Sequence, residues 1–178
     1  STFTDILHGV YQPDPGEVIV DDKIVKTSSL GWTSKVGYVT QDTYLIDDSI
    51  RKNIAFGVED SQIDEKKINE IIELVQLKEL IESLPKNINT TVGERGAILS
   101  MGQIQRIGIA RALYRNTDIL LLDEITSSLD QINTNKIYKL IKKMKSLKTI
   151  IVITHELSND EIFDQIYEVK NKTLQKIL

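Results

Sequence analysis

The sequence predicts an α/β fold, a mostly parallel sheet accompanied by antiparallel hairpins and interrupted by an inserted helical stretch. Three observations carry this. DILLLDE at 118–124 and TIIVITH at 149–155 are apolar at consecutive positions, the pattern of parallel strands covered on both faces. Helical patterns alternate with these runs, which implies parallel strands joined by crossovers. Residues 48–115 carry helical periodicity and one glycine-punctuated loop but no strand pattern. The chain therefore reads as one domain, 1–178, with an α/β core at 1–47 and 116–178 and a helical subdomain at 48–115.

The elements follow in order. STFTDILHGV places Phe3, Ile6, Leu7 and Val10 at helical spacing, with the Ser1 and Thr2 hydroxyls at the end where capping is favoured. No strand leads into this helix within the sequence. PDPG is turn chemistry, and GEVIVDDKIVK alternates apolar and polar residues about a tight DDK turn, a hairpin signature. KVGYVTQ is a short strand running to Gln41. Between Asp48 and Leu84, Ile68, Ile71, Ile72 and Val75 fall at helical spacing, and Pro85 closes the run. TTVGERGAI is a loop. SMGQIQRIGIARALYR is a strong helix, with Ser100 and Gln103 at capping-box spacing. NTNKIYKLIKKMKSL is a charged amphipathic helix, and QIYEVKNKTLQKIL a hairpin around KNKT.

Composition narrows the function classes. The 178 residues hold no cysteine, which excludes disulfides and thiolate metal sites. Formal net charge is -4, which argues against nucleic acid as the main partner. Hydrophobic residues make up 40%, enough for a real core. No signal peptide is visible and no apolar run reaches the roughly 18 residues of a membrane span. The sequence thus reads as a soluble, cytosolic segment, with any membrane connection made through a partner or through chain outside it.

Four places carry candidate chemistry. Asp123 and Glu124 end a buried strand, at the sheet edge where open α/β folds bind ligands. Asp123 suits a magnesium ion held through water, and Glu124 an attacking water; two solvated acids at a strand end are the alternative. His155 ends the second buried strand and projects at the same edge, or is a satisfied loop histidine. Gln41 ends KVGYVTQ, where its amide could reach a metal or a water. ILSMGQ offers a hydroxyl and free N–H groups at a helix N-terminus, either an anion site or simple capping.

Taken together and in this order, Gln41, LSMGQ, LLLDE, SSLD and ITH closely resemble the nucleotide-binding domain of ABC (ATP-binding cassette) transporters. The resemblance covers essentially the whole chain. The signature motif is Leu99-Ser100-Met101-Gly102-Gln103, the Walker B strand Ile119–Asp123 with Glu124 after it, and the D-loop Ser127–Asp130. Gln41 is the Q-loop and His155 the H-loop. The fold implied is a P-loop NTPase core of the RecA-like kind. The resemblance also places Ser1 at the magnesium-binding hydroxyl, with Thr2 beside it. The glycines and lysine of the phosphate loop, and the strand before them, are expected upstream of Ser1, so the core is expected to lack its N-terminal part.

The resemblance implies ATP and Mg2+ as cofactors. Ser1, Gln41, Asp123, Glu124 and His155 would act on one face, and Ser100, Gly102 and Gln103 across the interface with a second nucleotide-binding domain bound head to tail; Thr2 and Asp130 would also bind the nucleotide. Ser1, Gln41 and Asp123 would hold the metal. Glu124 would orient water for in-line attack on the γ-phosphate, with His155 on that phosphate and Gln41 beside the water. DDSIRKNIAFG and TTVGERG resemble the exporter branch, with Glu94 and Arg95 meeting transmembrane coupling helices, no nucleic acid partner, and a location at the cytoplasmic face of the membrane. The parent would be a multidrug, lipid or lipid-linked oligosaccharide exporter; the segment alone is expected to be inactive. Met101 stands where the family has glycine. If that position needs φ > 0, the cost is roughly 1–2 kcal/mol. Alternatives are a non-transport ABC ATPase, which the short Gln41–Ser100 spacing and acidic charge disfavour, and a non-catalytic interaction module.

Overall fold

The structure is a computed structural model that describes residues 2–155 and 160–178. At its centre lie three parallel strands in the order β3 (Val36–Thr40), β4 (Ile119–Asp123), β5 (Thr149–Ile153). Two antiparallel hairpins accompany them, β1 (Val18–Val20) with β2 (Lys23–Val25) and β6 (Tyr167–Lys170) with β7 (Thr173–Lys176). Both hairpins turn through paired left-handed residues, Asp21–Asp22 and Asn171–Lys172. That is the twist two-residue hairpin turns require.

The unbroken apolar run of β4 has a direct structural reason. Leu120 and Leu122 face a large core built with helices α6 (Met101–Tyr114) and α7 (Gln131–Met144). Leu121 faces the other way, onto Trp32, Val36 and the partly buried Leu7, Val20 and Val25. All three leucines are fully buried. A strand with neighbours on both edges and layers on both faces has no polar side to show.

Between β3 and β4 the chain holds α3 (Ile50–Ile54), a 3-10 turn at Asp60–Gln62, α4 (Glu65–Leu74), α5 (Lys78–Ser83) and α6. The helical pattern expected from Asp48 to Leu84 is therefore real but broken. Left-handed Gly57 and Gln76 turn the chain between the pieces. The buried isoleucines Ile68, Ile71 and Ile72 form the inner face of α4, and Asp64 caps it by accepting from the Lys67 N–H.

The first helix, α1 (Thr2–His8), is shorter than its apolar spacing suggests. Gly9 ends it at φ +87°, and a Cβ there would stand 2.1 Å from the Thr27 carbonyl oxygen. Val10 therefore lies outside the helix and is exposed. The short helix α2 (Leu30–Thr33), capped by Ser29, gives no signal in the sequence pattern. It seats Trp32, whose indole N–H donates to the Leu7 carbonyl at 2.6 Å and fastens α1 to the sheet.

Candidate functional site

The register of the sheet assembles the first group of candidates. Thr40, Asp123 and Ile153 pair across the three strands, so Gln41, Glu124 and His155 all follow at the C-terminal edge. His155 Nε2 lies 3.1 Å from Glu124 Oε1, with the imidazole largely exposed. Glu124 is turned into place by its backbone. Its φ is +52°, its N–H donates to the Ile153 carbonyl at 2.9 Å, and its own carbonyl accepts from the Ser127 hydroxyl at 2.8 Å. A non-glycine residue held left-handed costs on the order of 1–3 kcal/mol and persists where surrounding bonds impose it.

Asp123 is held from two sides. Its Oδ2 accepts from the Tyr38 hydroxyl at 2.9 Å and from the Thr4 hydroxyl at 3.2 Å. Burial holds the Tyr38 hydroxyl above its ordinary value, and the Asp123 carboxylate pushes it the same way, so it remains a donor. The His8 ring packs against Tyr38 with centroids 5.0 Å apart. Neither Thr4 nor Tyr38 was marked by the motifs. The available signal was a threonine among the apolar positions of the first helix, and a tyrosine one residue from Val39, so on the opposite face of β3.

Gln41 is only partly exposed, and its amide donates to the Ser128 hydroxyl at 3.1 Å, joining the end of β3 to the segment before α7. Its backbone carbonyl accepts from the Gln105 amide of α6. Thr2 begins α1 and is exposed; Ser1, the expected magnesium hydroxyl, lies outside the described residues.

The second group sits at the N-terminus of α6. Ser100 accepts from the Gln103 N–H at 3.3 Å, and Gln103 Oε1 accepts from the Ser100 N–H at 2.8 Å, a complete capping box. Met101 is the first residue of the helix and does not have a positive φ, so the condition under which a non-glycine would be strained here is not met. Gly102 is the demanding position: a Cβ would meet the Asn133 side chain at 2.8 Å. Asn133 is fixed by Asp130, whose carboxylate accepts from both its N–H and its amide at 2.8 Å. These bonds hold the Asp130 carboxyl below its ordinary value, the Asn133 N–H foremost. Asp130 thus caps α7 and, through Asn133, abuts the signature turn. Glu94 and Arg95 are exposed on a 3-10 turn at Glu94–Gly96, with Arg95 left-handed.

The donor set suits magnesium bound together with a phosphate. Magnesium takes one or two carboxylates and leaves its other positions to water and phosphate. Asp123 supplies an oriented carboxylate and Gln41 an amide. Among the described residues no three acidic or imidazole groups converge into a protein-only cage. No described helix is long and apolar enough to cross a membrane.

A family profile described as ABC transporter matches residues 1–127. A multidrug resistance ABC transporter ATP-binding and permease protein of Lactococcus lactis is 37% identical over 96% of this chain and 29% of its own length. An ATP-dependent lipid A-core flippase of Photobacterium profundum is 39% identical over 95% of this chain and 29% of its own. The chain thus spans under a third of these relatives. A solved bacterial Atm1-family ABC exporter with ATP bound superposes with a TM-score of 0.85 at 32% identity, over 97% of this chain and 30% of that one.

Proposed function

The chain belongs to the ABC transporter family, and we propose that it serves as the ATP-binding, ATP-hydrolysing domain of an exporter. One observation carries this: Asp123, Glu124 and His155 meet at one sheet edge, with Glu124 and His155 3.1 Å apart. Bound Mg-ATP would supply the γ-phosphate as electrophile, with the metal drawing charge from its oxygens. Asp123 and Gln41 would hold the metal, joined by Ser1. Glu124 orients the attacking water and accepts its proton. His155 would contact the γ-phosphate oxygens, and Thr2 would offer a further hydroxyl at the start of α1.

The signature residues Ser100, Gly102 and Gln103, with Asp130, would complete the site of a second domain bound head to tail. Nucleotide then gains its full contacts only when both domains meet, so closure draws on ATP binding. Residues 48–115 would be the helical subdomain, and the exposed Glu94–Arg95 turn would face transmembrane coupling helices at the cytoplasmic side. The names of the relatives support an exporter of drug-like or lipid cargo. A polypeptide of these 178 residues alone would give no turnover. Backbone and lysine contacts to phosphate are worth roughly 1.5–3 kcal/mol each, and this sequence carries no glycine-lysine loop ahead of Ser1.

Phosphate release at millimolar Mg-ATP by the full-length polypeptide tests the proposal. Turnover lost in Glu124→Gln, and missing from the 178-residue segment, is expected. Turnover that survives Glu124→Gln contradicts the role of Glu124.

A further inference from the structure

Resting on the site proposed above, we infer that Tyr38 and Thr4 are positioning residues that fix the Asp123 carboxylate for magnesium. Both hydroxyls reach the same oxygen, Oδ2, at 2.9 Å and 3.2 Å. They come from different elements, β3 and α1, so the carboxylate is braced between the sheet and the helix laid across it. Two donors on one oxygen fix the plane of the carboxylate, and with it the direction in which its other lone pairs point.

The brace is itself secured. Thr4 is fully buried. Tyr38 is wedged between the core around Trp32 and the His8 ring. The Trp32 indole bond to the Leu7 carbonyl keeps α1, and hence Thr4, at its distance from the strand. Outer-shell donors of this kind raise metal affinity by removing the carboxylate's rotational freedom before the metal arrives, and losing one typically costs 10–100-fold.

The test uses the full-length polypeptide and a fluorescent ATP analogue whose binding is followed without turnover. Magnesium is titrated, and the concentration giving half the metal-dependent increase in affinity is read. Tyr38→Phe keeps the ring and removes only the hydroxyl; Thr4→Val does the same for the second donor. Each is expected to raise the magnesium half-point about ten-fold, while binding of the metal-free analogue stays within two-fold. Thr4→Ser, which restores a hydroxyl, is expected to return the half-point to the parent value. A half-point unmoved in Tyr38→Phe and Thr4→Val, even with a lowered melting temperature, overturns the inference and leaves the two hydroxyls as braces of α1 alone. Asp123→Asn separates the layers. If it abolishes the magnesium dependence while Tyr38→Phe does not alter it, only the positioning role fails. If Asp123→Asn leaves the dependence intact, the metal role of Asp123 fails and the positioning role with it.

Discussion

The two halves of the proposed ATP site are built on different principles. The strand-end half is held by bonds between residues far apart in sequence. Tyr38 to Asp123 spans 85 positions, Gln41 to Ser128 spans 87, and Thr4 to Asp123 spans 119. The signature half is held locally, by a capping box within three residues and an Asp130–Asn133 cap also within three. The first half exists only in the folded sheet. The second forms with its own helix ends, where Gly102 abuts Asn133. A site divided this way would suit the head-to-tail pairing proposed above, in which the two halves come from different copies.

The contrast can be broken from either side. The largest effect is expected at the strand-end half: His155→Ala should lower kcat about 10²-fold, the scale of one lost donor to developing charge. Steady-state phosphate release with a parallel nucleotide-binding measurement checks that affinity changes far less. Gly102→Ala attacks the contact between the two local caps of the signature half. Its Cβ would press on Asn133 at 2.8 Å, and overpacking of this kind costs about 1–3 kcal/mol. Denaturant unfolding should show that loss, and pairing with Asn133→Ala should recover most of it. Ser100→Ala removes a local cap and should cost about 1 kcal/mol of stability by the same measurement. Ser128→Ala is the mildest change, an exposed partner of the Gln41 amide, and should shift stability by less than about 0.5 kcal/mol.

The same division explains what could be read in advance. The capping box, the buried strand β4 and both hairpins follow from local pattern, and the structure contains them. TIIVITH reads as a buried strand as well, but among the described residues β5 pairs with β4 on one side only and is at most partly buried. Gln41, Asp123, Glu124 and His155 could be placed at one edge because strand ends in a parallel sheet share an edge. Their partners could not. Tyr38 reaches Asp123 diagonally across the β3–β4 register, and Thr4 reaches it only because α1 crosses the sheet at a particular distance, set by the Trp32 bond to Leu7. Gln105 lies deep in α6 and donates to Gln41, a contact decided by how closely that helix meets the chain after β3. Gly108 permits the approach, since a Cβ there would stand 2.8 Å from Thr43. The early end of α1 was missed for a similar reason. Apolar spacing carries the helix through Val10, whereas the close approach of Gly9 to Thr27 stops it at His8, two residues sooner.

The central claim is that one complete site takes its strand-end half from one copy and its signature half from another. Co-assembly of two inactive full-length variants, Glu124→Gln and Ser100→Arg, tests it most directly. In a mixed dimer both lesions fall in one site, and the other pairs an intact Glu124 with an intact signature. The account predicts that the mixture regains ATP turnover that neither variant shows alone. A mixture as inactive as its components, with dimers demonstrably formed, would contradict it.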